Sequence, residues 1–303
     1  MSSKSIEFRQ RMGCPACKEA AFETVWSASF GDKDVQGYIE EFHYSAEPMP
    51  LLQDQEFELV RCSSCDLMYH RFVVKDSFLP LIYGSWTDEA QVKRFEASHG
   101  RADPYKTGIG RLKLLLRLRV LLEGDFAEPF RLLDFGCGGG HDIAQAKMLG
   151  FDAKGIDFSL SRLEHAKRFD CQVFADLATF DSHVDEKVHA IILNQVVEHL
   201  MEPIEVLSAL RERLLPGGVL YVAVPNCAKT TVPKNFAEFH NVQPIEHVNA
   251  FTPETLSSTV RRAGYSKASR PSVFVSTGLK GVARTMAGMV HMPEDTDQFF
   301  RRE

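Results

Sequence analysis

Two pairs of cysteines near the start of the chain have the residue type and spacing of a metal site. Cys14 and Cys17 form one Cys-x-x-Cys pair, and Cys62 and Cys65 form a second pair after 44 intervening residues. Two such pairs can turn four thiolates toward one point, which is the tetrahedral arrangement that zinc prefers. Since four thiolates complete the coordination shell, we expect this zinc to be structural and to bind no substrate.

Disulfide bonds and a redox Cys-x-x-Cys motif are the alternatives for these cysteines. The chain begins Met-Ser-Ser-Lys-Ser without an apolar signal segment, which predicts a reducing, cytoplasmic location where disulfides are rare. Two matched pairs outside a thioredoxin-like strand-to-helix junction argue against a redox motif. The alternation of apolar residues in Phe22–Phe30 and in Glu56–Arg61 predicts strands of a small β-rich domain between the pairs.

A glycine-rich turn follows an apolar run in the middle of the chain. Leu132-Leu133-Asp134-Phe135 leads into Gly136-Cys137-Gly138-Gly139-Gly140. This pattern predicts a parallel strand that passes into a helix, with glycines letting backbone N–H groups approach a nucleotide-sized ligand. Asp157 ends a second apolar strand and is placed to accept hydrogen bonds from both hydroxyls of a ribose. Asp176 ends a third short strand and suits an adenine amino group.

Strands alternate with helices around this turn. We expect strands near 131–135, 153–157, 171–175, 189–194 and 219–225, and helices near 140–149, 160–169 and 203–214. The alternation is typical of a doubly wound α/β sheet that binds ligands at the carboxyl ends of its strands.

Three further segments complete the expected secondary structure. Ile109–Leu122 carries a helical apolar stripe, and Thr252 is the N-cap of a later helix that stops at Gly264. Ser272–Ser276 predicts a strand after it. Gly278–Val290 predicts a Met-containing helix followed by a charged tail, and no convincing closing strand is evident there.

Together these motifs resemble the class I S-adenosylmethionine methyltransferases over residues ~105–276. The resemblance implies a Rossmann-like core that binds S-adenosylmethionine and releases S-adenosylhomocysteine. The residues it implies at the cofactor are Asp134, Gly136, Gly138, Gly140, Asp157, Phe158, Asp176, Leu177, Asn194 and Tyr105. Tyr83 is a further candidate for the cofactor carboxylate, and packing against the core is the alternative for both tyrosines.

The segment after the predicted fourth strand indicates the class of acceptor. Methyltransferases of DNA and of many RNA amines carry Asn/Asp-Pro-Pro-aromatic here, whereas this chain has Asn194-Gln195-Val196-Val197. Val197-Glu198-His199-Leu200 instead resembles the Glu-His-Leu of small-molecule methyltransferases, including ubiquinone-type O-methyltransferases. His199 is therefore a candidate general base, and capping of the next helix is its alternative role. His247 is the second candidate base, with a fold-stabilising hydrogen bond as the alternative.

The whole arrangement resembles a bacterial group that combines a zinc ribbon with a class I core and a Pro-x-x-His-x-x-x-Phe-Thr segment, here Pro244–Thr252. Such proteins are similar to enzymes of surface-polysaccharide, deoxysugar and natural-product pathways. The sugar C-methyltransferases with this ribbon continue into a further C-terminal domain, so we expect an O-methyl product. The expected domains are a zinc ribbon at 1–75, a helical connector at 76–129, the core at 130–276, and a helix and tail at 277–303.

Charge and hydropathy limit the partners. The formal net charge is −6, and residues 1–70 hold six Lys and Arg against twelve Asp and Glu, so the ribbon is a poor surface for a phosphate backbone. No run of about 18 apolar residues predicts a membrane span. We therefore expect a small-molecule acceptor, with neither nucleic acid nor membrane as partner, and the sequence does not predict an oligomeric state. An RNA or protein methyltransferase, and a non-catalytic S-adenosylmethionine sensor or scaffold, are the alternatives.

Overall fold

The computed structural model describes residues 6–42, 44, 48–87, 94–95, 97–98, 104–273 and 295–303. The chain divides into two compact units. The first unit comprises Met1–Ala102, Val197–Ile204 and Pro225–Thr259, and the second comprises Asp103–Val196, Glu205–Val224 and Val260–Glu303. Two segments that the sequence analysis places in the core, 197–204 and 225–259, thus belong to the first unit. The domain boundaries at 75, 129 and 276 stay predictions.

Thirteen strands and ten α-helices lie in these described ranges. The strands are β1 Phe8–Gln10, β2 Phe22–Ser29, β3 Glu56–Cys62, β4 Met68–His70, β5 Phe72–Val74, β6 Arg131–Phe135, β7 Asp152–Ile156, β8 Gln172–Phe174, β9 Val188–Asn194, β10 Leu214–Ala223, β11 Asn249–Ala250, β12 Tyr265–Ala268 and β13 Asp297–Arg302. The helices are α1 Lys33–Glu41, α2 Met49–Leu52, α3 Leu79–Leu81, α4 Pro104–Leu122, α5 His141–Met148, α6 Leu160–Lys167, α7 Leu177–His183, α8 Pro203–Arg213, α9 Phe236–Asn241 and α10 Pro253–Arg262. None of these helices is both long and apolar enough to cross a bilayer.

The second unit is built on a seven-stranded sheet in the order β12-β13-β10-β9-β6-β7-β8. Strands β8, β7, β6, β9 and β10 are parallel, and β13 runs antiparallel to both of its neighbours. The central strand β9 is buried at every position except Asn194, as expected for a parallel strand covered on both faces. The sheet confirms the predicted α/β class and the predicted order of strands and helices around the glycine turn.

Gly155 of β7 explains how closely the helix after the turn packs on this sheet. A Cβ atom at Gly155 would lie 2.4 Å from Cδ1 of Ile143 and 2.6 Å from Sγ of Cys137. Only a residue without a side chain leaves room for that approach. The strand therefore carries a glycine at this position.

The C-terminal end of the chain is a strand, which corrects the expected charged tail. Phe299 and Phe300 of β13 are buried in the sheet, while Arg301 donates to the carbonyl of Gly217 at 2.6 Å. Sequence periodicity does not predict this short strand, because charged residues lie on both sides of its two phenylalanines. The strand is stabilised by burial of these two apolar side chains. The predicted helix Gly278–Val290 lies outside the described residues.

The strand after α10 also begins earlier than expected. Gly264 has φ of +88° and ends the helix, and β12 starts at the next residue, Tyr265. The Tyr265 side chain is buried and its hydroxyl donates to the Leu207 carbonyl at 3.0 Å. The described part of the predicted strand Ser272–Ser276, residues 272–273, is not a strand.

The first unit contains a four-stranded antiparallel sheet in the order β11-β4-β3-β2 and a separate pair of β1 with β5. The predicted strands between the cysteine pairs are confirmed as β2 and β3. Their core is aromatic, with Trp26 and Phe57 in an edge-to-face pair at 4.6 Å. Pairing of β11 with β4 sets Asn249 opposite Tyr69, which brings the segment around His247 beside the cysteine-bearing sheet.

Candidate functional site

The four predicted metal-ligating cysteines converge in the first unit. Their sulfurs all lie within 4.8 Å of one another. Sγ of Cys14 is 3.6 Å from Sγ of Cys65, and Sγ of Cys17 is 3.4 Å from Sγ of Cys62. A tetrahedral zinc ion with Zn–S bonds of about 2.3 Å separates its sulfurs by about 3.8 Å. The four thiols therefore suit such an ion, whereas a disulfide would need sulfurs about 2.05 Å apart.

The two cysteine turns share one backbone geometry. The N–H of Lys18 donates to the carbonyl of Cys14 at 2.8 Å, and the N–H of Asp66 donates to the carbonyl of Cys62 at 3.1 Å. Lys18 and Asp66 both adopt a left-handed conformation, with φ of +66° and +61°. Such values are uncommon for residues other than glycine. Their repetition at equivalent positions indicates that both turns are shaped to aim their thiols at one point.

The glycine turn of the second unit combines packed and open positions. A Cβ atom at Gly136 would lie 2.4 Å from Cγ2 of Val196, and one at Gly140 would lie 2.7 Å from Cβ of Ala166. Gly138, with φ of +52°, would place a Cβ where no atom lies within 4 Å. Space is thus open beside the backbone of Gly138, and its contact with a ligand stays a prediction.

Asp157 fixes this turn. It directly follows β7, and only 3% of its surface is exposed. Its Oδ2 accepts a hydrogen bond from the N–H of Gly138 at 2.9 Å, and its Oδ1 accepts one from the N–H of Ser159 at 2.9 Å. Each carboxylate oxygen has a second acceptor position, so Asp157 can also accept hydroxyl groups of a ligand. Phe158, by contrast, is 61% exposed.

Three acidic side chains, those of Asp134, Asp142 and Asp157, interact with one another beside the turn. Asp134 is the last residue but one of β6 and is buried, and this burial raises its pKa well above the usual range. The Asp142 and Asp157 carboxylates act in the same direction, while Arg111, which is paired with Asp142, opposes them. A group of buried acids with one cation favours a positively charged ligand.

The other predicted cofactor residues have different surroundings. Oδ1 of Asp176 accepts from the N–H of Thr179 at 2.6 Å and caps α7, which begins at Leu177. That hydrogen bond from the Thr179 backbone lowers the pKa of Asp176. Asn194 is exposed at the end of β9. Tyr105 lies in α4, and its side chain is outside the part of the chain that the structure describes.

The two candidate histidines meet in the first unit. The imidazole centroids of His199 and His247 are 4.9 Å apart, with their planes at 80°. Glu198 joins them: its carboxylate and the two imidazoles each offer one atom, and these atoms lie within 4.8 Å of one another. His199 and His247, the two candidate bases, are 48 positions apart in the sequence and lie in one cluster with Glu198.

Glu198 is a site residue that the sequence analysis did not select. Its surface is 1% exposed, and neither carboxylate oxygen has a hydrogen-bond partner among the described residues. Burial raises the pKa of Glu198 to about 8. The sequence signal for Glu198 was its position next to His199 in the Glu-His-Leu motif. That signal was weak, because glutamates are usually exposed.

Two tyrosines adjoin the cluster and its flanking segment. The Tyr83 hydroxyl lies 3.2 Å from Nδ1 of His199, which gives this proposed cofactor residue a partner in the histidine cluster. The Tyr44 hydroxyl donates to Oε1 of Glu246 at 2.7 Å in a buried hydrogen bond. Burial, followed by the nearby Glu246 charge, raises the pKa of Tyr44 well above its usual value. Tyr44 therefore acts as a hydrogen-bond donor at neutral pH.

Arg11 and Asn249 hold together the segments that carry the cluster. Nη1 of Arg11 donates to the Val248 carbonyl and to Oδ1 of Asn249, both at 3.0 Å, and Nη2 donates to the Met201 carbonyl at 3.0 Å. Nδ2 of Asn249 donates to the Leu200 carbonyl at 2.7 Å. Sequence reasoning missed both residues, because their partners lie far away in the chain.

Comparison with known proteins gives one family and several relatives. The family model described as "Methyltransferase domain" matches residues 108–269, more than half of the chain. A ubiquinone biosynthesis O-methyltransferase of Cereibacter sphaeroides is 30% identical over 174 residues, which cover 50% of this chain and 68% of that protein. A protein of the same description from Brucella anthropi is 34% identical over 105 residues, covering 33% of this chain and 42% of that protein.

Two solved structures that match this chain are described as methyltransferases. The plantazolicin methyltransferase BamL, in complex with a triazolic desmethylPZN analogue and SAH, has a TM-score of 0.47 at 15% identity, and the match covers 70% of this chain and 89% of that chain. The SAM-bound amino pentose methyltransferase CalS10 of Micromonospora echinaspora has a TM-score of 0.34 at 25% identity, covering 41% of this chain and 52% of its own.

Replacing Arg11 by lysine is expected to loosen the loop that carries Glu198 and His199. One ammonium group cannot reach the oxygens that the guanidinium serves, and each buried carbonyl left unpaired costs about 1–3 kcal/mol. Backbone amides of residues 197–201 should exchange with solvent deuterium roughly tenfold faster or more, measured by mass spectrometry. The exposed Arg61, changed to lysine, is the matched control. Unchanged exchange in Arg11→Lys would contradict the bracing role.

Proposed function

The chain belongs to the methyltransferase-domain family and is an S-adenosylmethionine-dependent methyltransferase, and we propose that it methylates a hydroxyl group of a small molecule. Sugars and secondary metabolites are the acceptors that its motifs favour. The observation that carries this proposal is the pairing of His199 with His247 beside the buried Glu198. The description of the Cereibacter relative as an O-methyltransferase supports oxygen as the atom methylated.

The residues around the glycine turn are those we assign to the methyl donor. S-adenosylmethionine supplies a methyl group already activated by a sulfonium. The open backbone at Gly138 can approach the ligand, and Asp157 can accept its ribose hydroxyls while holding the turn. The buried acids around Asp134 favour the positive charge. Phe158, Asp176, Leu177, Asn194 and Tyr105 remain proposed contacts.

We assign the acceptor to the histidine cluster of the first unit. Transfer to a hydroxyl is assisted by a group that takes the hydroxyl proton as the new bond forms. His199 or His247 can take it, because a neutral imidazole has a ring nitrogen that accepts a proton. Tyr83 contacts Nδ1 of His199 and so limits rotation of that ring. A purely structural role is the alternative for each histidine.

We infer that the four cysteines of the first unit bind a structural zinc ion. Four thiolates leave no open coordination position, so the ion would stabilise the ribbon and take no part in the reaction. Reduced thiols fit the cytoplasmic location proposed from the sequence. The acidic character of residues 1–70 supports a small-molecule acceptor over RNA.

Metal analysis of the purified protein is expected to find one zinc ion per chain at the ribbon. Cys62→Ser should lower this zinc content several-fold and reduce the thermal midpoint, since metal binding contributes directly to the folding of such modules. Cys171→Ser, which changes a buried thiol of the second unit, should retain the zinc. A wild-type protein that is folded and free of zinc would reject the ribbon.

Asp157→Ala is expected to weaken S-adenosylmethionine binding by at least tenfold. The substitution removes both the ribose acceptor and the hydrogen bond that holds Gly138 in place. Isothermal titration calorimetry measures the change, and Asp170→Ala, at a fully exposed carboxylate, is the control. Asp157→Asn, which keeps one acceptor oxygen, should show an intermediate loss. Wild-type affinity in both Asp157 variants would refute the ribose assignment.

Incubation with S-adenosylmethionine labelled in its methyl group tests the acceptor class. Label from fractionated host extract should appear in the small-molecule pool and not in RNA or protein. His199→Ala and His247→Ala should bind S-adenosylmethionine normally, and the one that removes the base should transfer label about 10²-fold more slowly or worse. Label in RNA or protein would support the macromolecular alternative. Binding without label in any fraction would support the sensor.

A further inference from the structure

The cluster of Glu198, His199 and His247 also has the composition of a metal site. We propose that these three side chains bind one divalent transition-metal ion, separate from the zinc of the four cysteines. Two imidazoles and one carboxylate are a ligand set for ions such as Mn²⁺, Fe²⁺, Co²⁺ and Zn²⁺. The role of the ion in methyl transfer rests on the proposed function, but its binding does not.

The distances between the donor atoms favour this assignment. An ion about 2.1 Å from each ligand requires donor atoms roughly 3–4.2 Å apart, depending on the bond angle. Oε1 of Glu198 lies 3.9 Å from Nε2 of His199, inside that range and too far for a direct hydrogen bond. The three candidate atoms all lie within 4.8 Å, so small side-chain rotations complete the site.

The carboxylate of Glu198 is the independent observation. This side chain is 1% exposed and has no hydrogen-bond partner among the described residues. If it served only for packing, it would destabilise the fold, because burying an unpaired carboxyl group is unfavourable. A glutamine or an aliphatic side chain of similar size would fill the same volume at lower cost. A cation between the carboxylate and the imidazoles removes that cost, because it supplies the missing partner.

The orientation of His199 agrees with a ligand role. Its Nδ1 lies 3.2 Å from the Tyr83 hydroxyl, while Nε2 is the nitrogen that faces Glu198. Metal-bound histidines usually make such a contact through the second ring nitrogen, which sets the ring orientation. The imidazole of His247 is nearly perpendicular to that of His199, so the two rings can approach one ion from different sides.

The ligand number distinguishes this site from the cysteine site. Three protein ligands leave at least one coordination position open, as in catalytic metal sites, whereas four thiolates leave none. An oxygen of a hydroxylated acceptor is the ligand we assign to that open position. Nε2 of His199 would then hold the ion and would not be the base, so the two roles of this nitrogen exclude each other.

Titration with Mn²⁺ tests the site on the full-length protein. Loosely held metal is first removed with EDTA, retention of the cysteine-bound zinc is checked by elemental analysis, and free Mn²⁺ is counted by electron paramagnetic resonance. We expect one Mn²⁺ per wild-type chain. Glu198→Gln and His247→Asn should each weaken this binding at least tenfold, and His183→Asn, at an exposed histidine of the second unit, should bind as wild type.

Thermal unfolding separates binding from damage to the fold. Glu198→Gln preserves volume and removes an unpaired carboxyl, so without added metal its midpoint should equal or exceed that of the wild type. Mn²⁺ should raise the midpoint of the wild type and leave that of Glu198→Gln unchanged. No Mn²⁺ uptake by the wild type, or Mn²⁺ binding by both cluster variants as tight as that of the wild type, would overturn the proposal. These readouts need no methyl transfer, so they succeed or fail independently of the proposed reaction.

Discussion

The candidate acceptor site depends on the hydrogen bonds that the Arg11 guanidinium donates. It donates to oxygens of two segments, around 201 and 248–249, that are distant from it and from each other in the sequence. Burial lowers its pKa to about 10, so the group stays charged at neutral pH, and its planar fork can serve several oxygens at once. Arg11 precedes Cys14 by three residues. An ordered cysteine turn therefore fixes the residue that brings Glu198 and His199 to His247, which gives the ribbon a structural task within the first unit.

Asp157 holds irregular backbone in place in the second unit, as Arg11 does in the first. Where β6 ends, the glycine turn leaves the sheet, and the N–H of Gly138 needs a hydrogen-bond acceptor outside the ladder of strands. One carboxylate accepts from Gly138 and Ser159 and keeps a second acceptor position on each oxygen. Both units thus use a single polar side chain to hold irregular backbone, so that loops with few regular hydrogen bonds can present reactive groups in a fixed arrangement.

The sequence predicts those parts of the fold whose signal is local. The cysteine pairs, the glycine turn and the strands β6 to β10 have a spacing or periodicity that a short window reveals. Residues whose role depends on distant partners give no such signal. Arg11 is one of 35 Lys and Arg, and nothing near it in the sequence marks it as the one that braces the site. β13 is equally hidden, because its two phenylalanines stand between charged residues and become a strand only when β10 and β12 flank them.

Glu198 shows most clearly why the chemistry of the site is more than a pair of histidines. A buried carboxyl must be balanced either by a proton or by a cation, since an isolated charge in such surroundings is too costly. With a proton it is a neutral donor, and its raised pKa makes folding less favourable as pH rises from the value of an unfolded glutamate toward about 8. With a cation it becomes a ligand, and that dependence is replaced by one on the metal concentration. The neighbouring imidazoles must be neutral to bind the same ion, so protons and metal compete for all three groups. Without metal, a neutral imidazole of this cluster can act as a base, whereas a bound ion would supply a Lewis acid.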